Sequence, residues 1–232
     1  MSAWQNFING FDFQPLLEML MFAVPALICI TLHELSHGYV ACRLGDTTAK
    51  DAGRLTLNPI RHLDIVGFLM LIVAHVGWAK PVPVNMYRFE NPKRGMAITA
   101  LAGPVSNFII TAVSIVLYCF FYPLVYSRTS SVFLLDCFDL LYYTAYLSLG
   151  LGLFNLLPIP PLDGSKVLFA LLPDSAYAKL MRYERYGMIL LIALAYFGVT
   201  GQFLSSVIGA VFERFLDLGD LFFRWGCSLF LA

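Results

Sequence analysis

"TLHELSHGYVA", residues 31–41, places two histidines and a glutamate inside a run otherwise apolar enough to cross a bilayer. The run extends from Pro15 to about Cys42 and is closed by Arg43. Ionisable groups at membrane depth are costly to desolvate, so when they occur they tend to mark function. Read as a helix, the stretch sets His33 and His37 one turn apart on one face, with Cβ atoms about 6 Å apart, a separation at which two imidazoles can share one tetrahedral Zn2+. Glu34 is turned about 100° around the axis, so it can touch a water at that metal without being a ligand. This is the HExxH arrangement. The bland alternative is three polar residues that hydrogen-bond within a bundle or snorkel to an interface.

Composition sets the solvent. Hydrophobic residues make up 59% of the 232 residues, charged residues 13%, and mean hydropathy is +0.74, against roughly 45–50% and about 25% in soluble domains. The fold expected is an all-α polytopic membrane bundle of about five to six transmembrane helices, since each span takes ~20 residues. A single membrane-embedded domain fills residues 1–232, with a catalytic core at about 15–170 and C-terminal helices at about 180–232. A formal net charge of zero and a pI near 6.9 argue against a nucleic-acid partner, which would need a clustered basic face. Cys29, Cys42, Cys119, Cys137 and Cys227 lie in or beside apolar runs without a CxxC pair and read as small core hydrophobes. The opening "MSAWQNFINGFDF" has neither a basic n-region nor a small-residue cleavage site, so it does not read as a cleavable signal.

Further apolar runs follow at Leu63 to Trp78, Ala97 to Pro123, Val132 to Leu157 and Tyr186 to Val199. The tail from Phe203 is interrupted by Glu213, Arg214, Asp217 and Asp220 and suits either a sixth span or an interfacial amphipathic helix. The Leu63 to Trp78 run is too short, as a helix of ~22 Å, to cross a ~30 Å core. Basic residues decide how it lies. Arg43, Lys50, Arg54 and Arg61 precede it, and Lys80, Arg88, Lys93 and Arg94 follow. A crossing would put these equally basic loops on opposite sides; a re-entrant or extended segment between the first and the next full-length span keeps both cytoplasmic. Arg128 then lies outside, Lys166, Lys179, Arg182 and Arg185 return to the cytoplasmic side, and the N-terminus faces out. The protein is expected in a cell membrane with its site toward the cytoplasm.

Two histidines and a water leave zinc one protein ligand short. His62 and His75 read as structural, and Glu90 follows a loop-like stretch rich in proline. A better candidate lies in "GLFNLLPIPPLDGSKV", residues 152–167, where Pro158, Pro160 and Pro161 forbid regular helix. Irregular backbone at membrane depth is tolerated where it lines a cavity, and Asp163 falls within it. The span before it runs in the same direction as the first and delivers Asp163 near the cytoplasmic end, the depth of His33 and His37. The other reading makes Asp163 a turn former in "LDG".

At these residues the chain resembles the site-2 proteases, intramembrane zinc metalloproteases. The resemblance rests on HELSH at 33–37, "NLLPIPPLDG" at 155–164, "GWAKPVPVN" at 77–85 and "LAGPVSN" at 101–107, in the family's order. It implies one Zn2+ per chain held by His33, His37 and Asp163, Glu34 as catalytic base, and substrates that are membrane proteins or peptides within the lipid bilayer. It looks like the short branch, without the PDZ or C-terminal sensing domains of larger members. Met86 and Ile65 stand where proline is common, outside the metal set.

Within that reading Glu34 takes a proton from water and returns it to the leaving amine. Asn155 is the candidate donor to the oxyanion, or else it caps the broken helix. "GRLTLNPI" and "WAKPVPVN" read as extended and could hold an unwound substrate by strand addition, and "LAGPVSN" offers small residues for close packing on the metal-bearing helix. Other readings use the same His/Asp cluster: a metal or ion transporter, a catalytically inert scaffold, or a membrane metalloprotease with a glutamate as third ligand. The residues set no oligomeric state.

Overall fold

The computed structural model describes residues 14–67, 79–183, 186–196 and 199–231. Among them the chain is helical, with no strand and one isolated antiparallel bridge. Helix α1 is Gln14–Arg43, α2 the single turn Thr48–Asp51, α3 Pro92–Arg128 and α4 Val132–Asn155. Four more follow: α5 (Asp163–Ala170), α6 (Asp174–Tyr183), α7 (Gly187–Tyr196) and α8 (Val199–Phe230). Three of them, α1 from Met21 together with α3 and α4, are long and apolar enough to cross a membrane. The protein is a helical, multi-pass membrane bundle.

Local chemistry sets the helix ends. Asn91 caps α3 by accepting from the Arg94 N–H, with Pro92 at the first helical position, where its missing N–H costs nothing. The prolines after Asn155 end α4, and residues 156–162 run irregularly until α5 begins at Asp163.

Side-chain pairs give the directions. His33 and His37 of α1 meet Asn107 and Thr99 of α3, so these two helices are antiparallel. Ser148 and Asp139 of α4 meet Asn107 and Tyr118 of α3, so α4 is also antiparallel to α3 and runs with α1, as the expected topology requires. Between helices in lipid there is little hydrophobic drive, and small residues with interhelical hydrogen bonds hold them together. Here the Thr111 hydroxyl donates to the Ala145 carbonyl (3.2 Å), the Ser148 hydroxyl to the Asn107 carbonyl (3.0 Å), and the Cys29 thiol to the Thr144 carbonyl (3.6 Å).

The C-terminal tail forms one 32-residue helix, α8, lying along α3 and α4. Its Ile208 and Phe212 complete an apolar core with Ile115, Ala145 and Leu149. The run expected to be re-entrant lies largely outside the described residues, at 68–78, as does His75. Its flanks are described: Leu63 and Ala79 form the isolated bridge, and the Lys80 N–H donates to the His62 carbonyl at 2.9 Å. The two flanks of this run thus lie side by side. The two extended stretches form no sheet among the described residues. Residues 53–60 run into a 3-10 turn at Pro59–Arg61, and Pro81, Val82 and Val84 of the stretch 80–85 line a cavity.

Candidate active site

His33 and His37 point from α1 toward α3, with 4% and 8% of their surface exposed, and Asp163 at the start of α5 is 8% exposed. Asp163 Oδ2 lies 3.1 Å from Nε2 of each histidine, and the two Nε2 atoms lie 3.0 Å apart. Three ligand atoms from positions 130 residues apart thus form a nearly equilateral triangle. Tetrahedral zinc with bonds of ~2.0–2.1 Å needs ligand atoms about 3.3 Å apart. The donors would fit such a cation. They are the only such group of His, Cys, Asp or Glu among the described residues.

The surroundings hold these atoms in place. His37 Nδ1–H donates to the Thr99 carbonyl at 2.7 Å, which leaves the lone pair on Nε2. A Cβ on Gly103 would overlap both imidazoles, so the glycine lets α3 approach α1 closely, as the small residues of "LAGPVSN" suggest. Gly164 plays the matching part for Asp163, since a Cβ there would run into the Leu156 carbonyl. Lys166, one turn on, sets its ammonium 3.9 Å from Asp163 Oδ1.

Glu34 borders the same cavity, of about 280 Å³, with Pro81, Val82, Thr99, Asn155 and Lys166. One of its oxygens, Oε2, accepts the Val82 N–H at 2.9 Å. That N–H belongs to the segment 80–85, which is clamped at both ends. Arg54 donates to the Lys80 carbonyl and the Asn85 N–H donates to Asp46 Oδ2, both at 2.6 Å. Asp46 is fully buried. Burial raises its carboxyl, yet donation from the Thr48 hydroxyl and the Asn85 and Thr48 amides, with the charge of Arg88, holds it below its ordinary value.

The five residues singled out in the sequence, His33, Glu34, His37, Asn155 and Asp163, all line this one cavity. Asn155 donates one amide N–H to the Leu151 carbonyl one turn back in α4, at 3.0 Å. His62 is buried (1% exposed) and bonds the Thr56 carbonyl at 2.9 Å, a structural role; Glu90 is exposed and outside the cavity. Sequence reasoning passed over Thr99, Asn107 and Lys166. The one available signal was Asn107, a polar residue in the middle of an apolar span.

The model of peptidase family M50 matches residues 125–197, the part that carries Asp163. YwhC of Bacillus subtilis, by name a candidate zinc metalloprotease, is 36% identical over 222 residues, covering 94% of this chain and 99% of that one. The chain belongs to peptidase family M50. Two further relatives are longer. The zinc metalloprotease MJ0392 of Methanocaldococcus jannaschii is 26% identical over 212 residues, 90% of this chain and 50% of its own. The zinc metalloprotease RasP of Bacillus licheniformis is 24% identical over 196 residues, 84% of this chain and 41% of its own. No solved structure matches the chain.

Proposed function

We propose that this chain is an intramembrane zinc metalloprotease in which His33, His37 and Asp163 hold the metal and Glu34 moves the proton. The observation that carries the reading is the triangle of Nε2, Nε2 and Oδ2 with 3.0–3.1 Å edges at the wall of a cavity shared with Glu34. When bound, zinc supplies a Lewis acid that polarises a scissile carbonyl and strengthens water as an acid. The Val82 N–H fixes one oxygen of Glu34 and leaves the other for a water in the cavity. Glu34 accepts that water's proton and passes it to the departing amine, serving as base and then as acid. The second amide N–H of Asn155 donates to the oxygen that gains charge at the scissile carbonyl.

Substrates are peptide bonds of membrane-spanning segments, reached after local unwinding. Residues 15–170 carry the site, and 180–232 support it within one domain. Arg43 closes α1 six residues after His37, ~9 Å along the axis. Lys80, Lys93 and Lys166 gather at the same end of the bundle, while Arg128 ends α3 at the other. This asymmetry supports a site toward the cytoplasm and an N-terminus outside.

The test is reconstitution of the purified protein with membrane-spanning peptides. Wild type cleaves them. Glu34→Gln keeps its zinc and loses 10²–10⁴-fold in rate, the contribution usual for a positioned acid–base group. Chelator abolishes cleavage, and Asp163→Ala loses the bound zinc. Equal cleavage by wild type, Glu34→Gln and the chelated protein would leave the proposal without support.

A further inference from the structure

Asn107 is fully buried (0% exposed) in the middle of α3, and its Oδ1 has no hydrogen-bond partner among the described residues. Its Nδ2 stands 3.3 Å from Nδ1 of His33. The backbone carbonyl of Asn107 is the part that ties the helices, taking the Thr111 and Ser148 hydroxyls. The side-chain amide has a single polar contact among the described residues, His33, and its oxygen has none.

The metal set decides what His33 requires. An imidazole that offers the Nε2 lone pair to a cation carries its proton on Nδ1, and ligating histidines as a rule donate that N–H to a fixed acceptor. For His37 the acceptor is the Thr99 carbonyl. For His33, Nδ1–H would face the N–H groups of Asn107 across 3.3 Å, donor against donor. A half-turn of the amide puts Oδ1 in the place of Nδ2 within the same volume, because the two ends of a carboxamide are nearly equal in shape. The atom that lacks a donor is the acceptor the imidazole lacks.

We propose that Asn107 is a positioning residue for the metal centre, its side-chain oxygen holding His33 in the Nδ1–H tautomer while Nε2 faces the cation. The proposal rests on the metal set given above. It also accounts for a buried carboxamide at this place in an apolar span, where an aliphatic residue would meet no polar partner.

The experiment measures zinc affinity of the purified full-length protein by competition with a chelating dye. The melting temperature of the zinc-free protein reports on the fold. Asn107→Leu, of similar size but with no acceptor, is expected to bind zinc 10–100-fold more weakly. Asn107→Asp keeps the oxygen and loses the NH2, and is expected within about 3-fold of wild type, rescuing what leucine loses. In zinc-loaded wild type, the 15N signals of His33 should show Nδ1 protonated and Nε2 without a proton. Wild-type affinity in Asn107→Leu overturns the proposal, and so does a loss in Asn107→Asp as large as in Asn107→Leu. If Asn107→Leu does not fold, the aspartate variant and the wild-type 15N signature decide alone, and an unprotonated Nδ1 in the loaded protein overturns it. Wild type that binds no zinc overturns the metal set as well, which separates the two failures.

Discussion

Gly103 shows how narrowly single atoms govern this centre. A methyl group there would overlap His37 Nε2 and His33 Cε1, the edges of the rings that face a cation. Alanine is otherwise the better helix former, by roughly 0.5–1 kcal/mol. Gly103→Ala should therefore keep its helix content yet bind zinc at least about 10-fold more weakly, because neither ring can yield without losing the triangle. Gly209→Ala on α8, with nothing within 4 Å of its Cβ, is the control and should leave zinc affinity unchanged. Measuring both by dye competition checks this, and wild-type affinity in Gly103→Ala would show that the rings can rotate aside. The same contrast explains what could be read beforehand. His33, Glu34 and His37 are legible because helical spacing alone puts them together. Asp163 could be reached through the prolines before it and the direction of its span. Asn107 could not, since its contact with His33 depends on how two helices are rotated about their axes, which no local pattern states.

The element that most needs its surroundings is the extended segment over the cavity. Among the described residues it has no sheet to belong to, and Asp46 and Arg54 replace one by bonding its two ends. Asp46→Asn would present an amide N–H where a carboxylate accepts up to three donors. Leaving such buried donors unpaired costs about 1–3 kcal/mol, and the melting temperature should fall accordingly. The pH dependence follows from the carboxyl being held below its ordinary value in the fold. A group lowered in this way stabilises the folded state fully above its unfolded pKa of ~3.9. That stability is lost as pH falls from there through the lower folded value. The gap in melting temperature between wild type and Asp46→Asn should thus be constant near neutrality and close as pH drops below about 4. A gap that persists unchanged in acid would show that the carboxylate's charge plays no part. The segment's polarity and prolines announced an irregular, extended piece, but the clamp was not legible, because Asp46 reads in sequence only as a loop residue after α1. The tail was ambiguous for a related reason. Its charges interrupt an apolar pattern, and only the neighbours on α3 and α4 decide which face is covered.

Across the whole molecule the site and the scaffold are divided between different helices. His33, Glu34 and His37 come from α1, Thr99 and Asn107 from α3, Asn155 from the end of α4 and Asp163 from α5, while α8 meets the bundle through Ile208, Phe212 and two glycines. A Cβ at Gly219 would sit 2.7 Å from Cys119 Sγ, and one at Gly226 would overlap the Phe120 carbonyl, so α8 lies against α3 backbone to backbone. Phe120 then packs its ring against Trp225, tilted, and Phe230, edge-on, with centroids 4.9 and 5.4 Å away. Close approach of this kind is how helices adhere where lipid is as apolar as the side chains. Gly226→Ile forces the pair apart at the end of the bundle remote from the metal triangle. Overfilling a packed contact typically costs 1–3 kcal/mol, so the variant should melt at a lower temperature in detergent. Its zinc stoichiometry and affinity should match wild type up to the onset of melting, because no described residue of α8 lines the cavity. Following zinc release and loss of helix in the same thermal scan tests this. Zinc leaving well before the helices unfold would mean that α8 holds α3 in the register on which the His33–Asn107 contact depends, and that the tail is part of the catalytic machinery rather than a brace.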